Sequence, residues 1–547
     1  MKPVKVLHQK LLIIGLILLS FGGSLWNGYS LDDELVTTME NAKVAKGIAG
    51  IYNIVSSSYQ AGATGSENFE YRPVTLISFA IEKSLFGFST VAGHFINLLL
   101  YAIVVLLVFS LSRKLIPEKH HHLILFITAL FAIHPLHSEV VLSLKNREEL
   151  LVALFGLLGF IKANKFANGH GYKDLLWFML FIGLGMFTKL SIAVYVLLIP
   201  VSLWFLERCS LKKAALLLFT PVLFLTVLLN GVLWIFDISL DRSFDFVENP
   251  LFFSGFMERL PMMFLSFFTY LKLLVVPHPL LSYYGYNEIP IVSWSDYRVL
   301  AGGFISVLGL AGLIGSFKKN KTLGFGLLTL FIGLSAFLNF PFPAAGIIAE
   351  RFTFIAVWGW AIIVVVGLDA VLTMVKTTKL FQPLLIAAAA AFLYLNIDRT
   401  TDWNTKESLI THDAAIGMDS FKLQSLLGDI HHEKLGKATI PELRQRHYKH
   451  ALLAYQKASF IYEDSPELYN SIGLVFFKGN QFENALKMFD KAIELDPEVA
   501  RYYFNQAVCL ESLDKMDQAI SVYRKSLKIN SKFQPSLSRL KTLNANN

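Results

Sequence analysis

Six short stretches of this chain carry side chains able to do chemistry together. Asp32-Asp33-Glu34 follows an apolar run directly. Tyr71-Arg72-Pro73 comes next, then His94 and Asn97, three residues apart. His134-Pro135-Leu136-His137-Ser138-Glu139 is followed by the polar run from Lys145 to Glu149, which includes Arg147. Lys189 stands in a tight turn between apolar runs, and Glu350-Arg351 opens another. Carboxylates can take a proton from an attacking hydroxyl. Arg and Lys can hold phosphate oxygens through charge-assisted hydrogen bonds. Such a set suits a reaction on a lipid-carried, phosphate-bearing substrate. Each stretch also has a plainer reading. The acids could be a solvated helix flank, Lys189 could snorkel to a membrane interface, and Glu350-Arg351 could be a local ion pair. His134 and His137 could form half a metal site, but Pro135 interrupts the helix and no third ligand has diagnostic spacing. No cofactor is expected, and a divalent metal stays open.

The elements that must position these groups are membrane helices. Of 547 residues, 54% are hydrophobic and only 16% charged, well under the roughly 25% of soluble domains. Apolar runs lie at 11–28, 92–111, 123–133, 149–161, 175–188, 191–206, 214–236, 259–276, 299–316, 322–340, 351–375 and 380–396. The longer ones approach the roughly 20 residues of a spanning helix. Lys2, Lys5 and Lys10 precede the first run without a cleavage site after it, so a retained first helix is expected. Basic clusters at Arg113/Lys114/Lys119, Lys162/Lys165/Lys173, Arg208/Lys212/Lys213, Lys318/Lys319/Lys321 and Lys376/Lys379 mark cytoplasmic segments. Alternation then requires one run not to cross. Pro261, Pro277 and Pro279 bracket 259–276 and single it out. Eleven spans remain, with the N-terminus inside and 29–91, 134–148, 237–298 and 341–350 outside. Within the first outer loop, which has Gly- and Ser-rich patches, Val74 to Phe86 reads as an amphipathic helix on the membrane surface.

That topology places all six stretches at outer helix ends. The net charge of +8 then reflects cytoplasmic loops, and no nucleic acid is expected. Cys209 and Cys509 form neither a metal site nor a disulfide framework.

After Asn396 the composition turns soluble, and a period of 34 residues emerges. Tyr469, Ile472, Gly473, Phe476, Ala485, Phe489, Ala492 and Pro497 stand at tetratricopeptide spacing. Tyr503, Ala507, Leu510, Ala519 and Tyr523 echo them. The expected organisation is all-α: a polytopic membrane bundle over 1–397 and a soluble tetratricopeptide solenoid over 398–547. Clear repeats fill 466–499 and 500–533. A degenerate copy occupies about 418–465, visible in its second helix at Ala451, Tyr455 and Ala458, and Lys532 to Leu543 would cap the array.

These motifs in this order resemble the transmembrane and tetratricopeptide-repeat-containing O-mannosyltransferases of the GT-C glycosyltransferase class. Tyr71-Arg72-Pro73-Val74-Thr75 and His134-Pro-x-His137-x-Glu139 are the most specific parts. The resemblance implies inverting transfer of a sugar, with mannose expected, from a polyprenyl-phosphate donor to a protein hydroxyl. It implies Asp32 as the base, with Asp33 orienting it or the acceptor, and Arg72, Lys189 and Arg351 on the donor phosphate. His94, Asn97, His134, His137, Glu139, Arg147 and Glu350 would shape the site. The repeats would recruit a protein acceptor. The short repeat array suggests a bacterial relative, placed in the inner membrane with site and repeats on the periplasmic side.

Two departures from the family pattern bear on donor and acceptor: Thr188-Lys189-Leu190 lacks an acidic neighbour, and Phe352-Thr353-Phe354 replaces the usual aromatic pattern. A non-catalytic membrane-anchored scaffold for envelope assembly is the contrasting reading, though an anchor needs one span rather than many. A GT-C enzyme acting on a lipid or glycan shares the membrane core. A transporter would show repeats among its spans and helices broken at the midplane, and neither is clear.

Overall fold

A computed structural model describes residues 6–38, 41–59, 70–238, 240 and 244–545. Lys2, Lys5 and the Gly-rich patch at 62–66 lie outside them. Among the described residues there are helices and no β-strand, with one isolated bridge between Tyr286 and Ile289. Two compact units divide the chain: 1–282 with 291–409, and 283–290 with 410–547.

Among the described residues of the first unit, seven helices are long and apolar enough to cross a membrane: Val6–Trp26, Thr90–Leu115, Arg147–Ala167, Leu211–Ile235, Tyr297–Lys319, Ala356–Met374 and Thr378–Asp402. Their ends follow local chemistry. The Ser89 side chain accepts from the Ala92 N–H at 3.2 Å to cap Thr90–Leu115, and Arg113 and Lys114 occupy its last turn, where cations complement the helix dipole. Asp296 caps Tyr297–Lys319 in the same way, accepting from the Arg298 N–H at 2.8 Å, and Lys318 and Lys319 close that helix.

Of the eleven expected spans, seven are helices of full spanning length among the described residues, and an eighth is the pair Glu118–Ala132 and Pro135–Leu142, bent by 51°. The break falls at Pro135, which has no N–H to continue the ladder. The remaining expected spans are helices at Tyr172–Met186, Ala193–Phe205 and Lys321–Ser335, of 15, 13 and 15 residues. Each is shorter than the roughly 20 residues of a typical spanning helix. Segment 259–276 forms the 17-residue helix Arg259–Val275. Pro261 is tolerated there because it lies in the first turn, where N–H groups have no intrahelical partner.

The segment after the first apolar helix has its own small core. Pro73 starts the helix Pro73–Phe86. Its Leu76, Phe79 and Ala80 pack with Val36, Val44, Ile54 and Tyr59. Ile81, Leu85 and Phe86 stay exposed on the other side. The expected amphipathic helix therefore uses one face for packing inside the protein.

The second unit contains the repeats. Pro466–Lys478 pairs with Phe482–Leu495, Ala500–Ser512 with Met516–Ile529, and Gln534–Ala545 closes the array. Gly473 is required by packing: a Cβ there would stand 2.6 Å from the Phe489 ring. The degenerate copy is the hairpin Phe421–Lys437 with Pro441–Ile461. Gly428 makes the equivalent contact on Tyr455. The two contacts span 27 and 16 positions (455 − 428 and 489 − 473). That difference of 11 explains why only the second helix of this copy keeps the period.

Candidate active site

Asp32 and Asp33 are neighbours with opposite surroundings. Leu31 adopts φ 44°, a left-handed conformation that costs a non-glycine residue about 1–2 kcal/mol. The turn it makes sends Asp33 inward. Asp33 is 0% exposed. Its Oδ2 accepts from the Ser30 N–H and hydroxyl, both at 3.0 Å. Its Oδ1 accepts from the Ser143 hydroxyl at 2.9 Å and the Lys145 N–H at 2.8 Å. Burial pushes the Asp33 carboxyl above the usual carboxylate range, opposed by those four donors. The Asp32 side chain is 54% exposed, with Oδ2 2.5 Å from Lys145 Nζ. Burial alone would lower the Lys145 pKa, but Asp32 and Glu148 outweigh it and the net shift is upward.

Behind this pair lies a knot of charge around the start of Arg147–Ala167. Glu148 accepts from the Arg72 guanidinium, from Lys189 Nζ at 2.6 Å and from the Tyr59 hydroxyl at 3.4 Å. Lys189 also stands 2.7 Å from Glu149, which accepts from the Ser191 hydroxyl at 3.1 Å. Arg72 makes a further pair with Glu70 and lies over the Tyr59 ring at 5.0 Å. Burial tends to lower the Arg72 pKa, yet Glu148 and Glu70 raise it overall, so it stays charged. Removing one member of such a buried set leaves an uncompensated charge. Arg72 and Lys189 thus converge on one carboxylate.

Arg351 reaches the same neighbourhood from another element. Its N–H donates to Glu139 Oε2 at 2.9 Å, and its guanidinium pairs with Oε1. Asn146 Nδ2 donates to the Glu139 carbonyl at 3.2 Å. Glu149, Ser191, Tyr195 and Arg351 line a small cleft of about 20 Å³, completed by Phe337 and Phe352 among others. Charged and hydroxyl groups share that cleft with aromatic rings.

The other expected site residues stand further back. Arg147 is 1% exposed. It pairs with Glu82 at 2.6 Å, donates to Asn97 Oδ1 at 2.8 Å and the Gly93 carbonyl at 3.2 Å, and lies over the Phe79 ring at 4.2 Å. Asn97 in turn donates to the Ser143 carbonyl at 3.0 Å. His94 meets the Gly28 carbonyl at 3.2 Å. These three brace the loops that carry the acids.

His134 Nε2 meets the Leu274 carbonyl at 3.0 Å, and its Nδ1 accepts from the Leu136 N–H at 3.2 Å. His137 Nδ1 meets the Tyr101 hydroxyl at 2.8 Å, and its Nε2 the Phe354 carbonyl at 3.3 Å. Both rings are packed among aromatics, His134 on Trp360 and Phe392, His137 on Phe354. Each has both nitrogens engaged, as befits side chains that build the wall. Glu350 is buried too, its carbonyl accepting from the Thr353 hydroxyl at 2.7 Å.

Lys145, Glu148, Glu149 and Glu82 are more central than sequence reasoning made them. The first three belong to a visible polar run, but acids in the first turn of a helix are commonplace because they suit its dipole. Glu82 was readable only as a surface charge. Its partner Arg147 lies 65 positions away (147 − 82).

A tetratricopeptide-repeat family model matches residues 470–533. Among curated proteins, the chain is 27% identical over 403 residues to protein O-mannosyl-transferase TMTC4 of Homo sapiens, covering 63% of this chain and 53% of that protein. It is 24% identical over 462 residues to a protein O-mannosyl-transferase of Caenorhabditis elegans, covering 82% and 62%. It is 21% identical over 587 residues to protein O-mannosyl-transferase TMTC3 of Homo sapiens, covering 96% and 61%. These relatives bear out the resemblance read from the motifs. The chain spans 53% to 62% of their length.

Proposed function

We propose that this chain is an integral membrane glycosyltransferase that moves a sugar, mannose in the first instance, from a polyprenyl phosphate to a protein hydroxyl. The observation that carries this reading is the exposed Asp32 carboxylate, held by Lys145 beside a buried knot containing Arg72 and Lys189. The names of the relatives point the same way. A scaffold or anchor has no use for buried charges that are expensive near lipid.

In the proposed reaction Asp32 takes the proton of the acceptor hydroxyl. The oxygen attacks the anomeric carbon from the side opposite the phosphate and inverts it. The bond from that carbon to the phosphate oxygen breaks, and polyprenyl phosphate leaves with the electron pair. Arg351, on the cleft wall, would take the donor phosphate, with Lys189 and Arg72 behind it. Asp33 would keep the turn that aims Asp32. The active site would face the periplasmic side of a bacterial inner membrane, and the repeats would present a protein acceptor to it.

The test is incubation of the purified chain in lipid bilayers with polyprenyl-phosphate-mannose and envelope extract, followed by mass spectrometry for added hexose. The reading requires a hexose on a Ser or Thr with wild type and none with Asp32→Asn. Undiminished transfer by a folded Asp32→Asn protein would remove Asp32 as the base.

A further inference from the structure

The second helix of the first repeat hairpin, Pro441–Ile461, presents a face that the repeat packing does not use. Its Ala451, Ala454, Tyr455 and Ala458 are buried. Arg446, Lys449, His450, Leu453, Lys457 and Phe460 are all exposed. At 3.6 residues per turn these six fall within a sector of about 100°, so they form one stripe along the helix. Leu453 is 55% exposed and Phe460 82%. The helix carries Arg444, Arg446, Lys449 and Lys457 against Glu442, a formal charge of +3 (4 − 1). Among the described residues, Arg446, Lys449 and Lys457 have no carboxylate partner.

Cations interleaved with apolar groups suit a surface that is itself anionic above and hydrocarbon below. Lys and Arg lay their stems on apolar material while their heads reach phosphate oxygens, and Leu and Phe enter the headgroup boundary. The first turns of the helix also border an open depression of about 610 Å³, lined by Glu442, Gln445, Arg446, Lys449 and His450 among others. Two connections keep a bilayer within reach. The spanning-length helix Thr378–Asp402 ends 19 positions before Phe421 (421 − 402). Tyr283–Pro290 belongs to the same compact unit as the hairpin. There the Tyr286 ring stands 5.6 Å from the Tyr462 ring, and Asn287 donates to the Asp419 carbonyl at 3.1 Å. Seven positions after Pro290 (297 − 290), Tyr297 opens another spanning-length helix, and seven residues reach at most about 25 Å. A lipid surface is thus permanently at hand for this face, which favours it over an acidic protein of matching charge.

We propose that the stripe from Arg446 to Phe460 docks the first repeat hairpin on the anionic phospholipid surface of the membrane the chain crosses. Arg446, Lys449 and Lys457 take lipid phosphates, and Leu453 and Phe460 enter the boundary between headgroups and acyl chains. The proposal rests on the reading of the chain as a membrane protein and is independent of the transfer reaction. Docking fixes the start of the repeat array at the bilayer and leaves the later repeats to meet a protein.

The test places a fluorophore on Gln456→Cys, at the edge of the stripe, in full-length protein lacking Cys209 and Cys509. The protein is reconstituted into nanodiscs of phosphatidylcholine alone or with phosphatidylglycerol, each containing a nitroxide-labelled lipid as quencher. Quenching should be stronger with phosphatidylglycerol, and high salt should remove the difference. Association changes about fivefold per Lys or Arg at an anionic surface, so the triple variant Arg446→Glu/Lys449→Glu/Lys457→Glu should lose the difference between the two lipids. Arg446→Gln/Lys449→Gln/Lys457→Gln serves as a milder second variant, with circular dichroism to establish that the helices persist. Reversing Arg524, Lys525 and Lys528 to Glu, the same change of charge on a later repeat, should leave the quenching as it is. Equal quenching in both lipids, quenching that survives the folded triple variants, or an equal loss from the reversal on the later repeat would each overturn the proposal. So would an unquenched label whose emission responds instead to added polyglutamate, which would give the face to an acidic protein segment.

Discussion

Lys145 grips the acidic pair at two points: its N–H donates to Asp33 at 2.8 Å and its ammonium stands 2.5 Å from Asp32. One residue of a distant loop thus locks the buried acid and faces the exposed one. The two aspartates should therefore fail differently. Asp32→Asn is expected to fold normally and lose hexose transfer. Asp33→Asn turns an amide NH2 toward the two donors of one carboxylate oxygen, and an unsatisfied buried group costs about 1–3 kcal/mol. Thermal unfolding in detergent and hexose transfer, measured on both variants, separate the two roles.

Lys145→Met removes the grip on Asp32 while keeping the backbone N–H. Because the folded-state pKa of Lys145 is raised, its pairing stabilises the protein below the ordinary lysine value of about 10.4. That stabilisation is lost as pH rises through the raised value. The thermal midpoint of Lys145→Met should fall below wild type at neutral pH, and the gap should close in strong alkali. A gap independent of pH would count against the ion pair.

Glu148→Gln leaves Arg72 and Lys189 short of their shared carboxylate. Breaking a buried pair costs about 3–5 kcal/mol, so folded yield and thermal midpoint should drop sharply. Glu34 is exposed, and Glu34→Gln should change stability by no more than about 0.5 kcal/mol. The two variants compared side by side in the same detergent test the knot.

Arg351→Met should raise the KM for the polyprenyl-phosphate donor about tenfold or more, a loss on the scale of one charge-assisted hydrogen bond. Arg351→Lys should recover part of it. Steady-state kinetics with varied donor concentration read this directly. An unchanged KM in both would separate Arg351 from the phosphate.

Sidedness can be read by thiol labelling in a background without Cys209 and Cys509. Glu350 is 0% exposed and a poor reporter; Glu34 and Phe342 are exposed. Glu34→Cys and Phe342→Cys should label from outside and Lys119→Cys from the cytoplasm. The reverse pattern would overturn the proposed orientation.

Much of the architecture follows from short-range features. Apolar runs set where the helices lie, and the period of 34 sets the repeats. Each depends on residues within a turn or two, which is why a linear reading finds them. Tertiary contacts decided the rest. Asp32 and Asp33 have the same side chain, and Ser143 and Lys145, more than a hundred positions away, join Ser30 in holding the buried one. His134 and His137 could be read in the sequence as half a metal site or as site-shaping groups, and the partners of their nitrogens, the Leu274 and Phe354 carbonyls, come from distant segments. Glu82 turns from a surface charge into the buried partner of Arg147. Helix formation is governed by local propensity and hydrophobic pattern. Burial and the pairing of charge belong to whichever distant segments the folded chain brings within about 3 Å of each other.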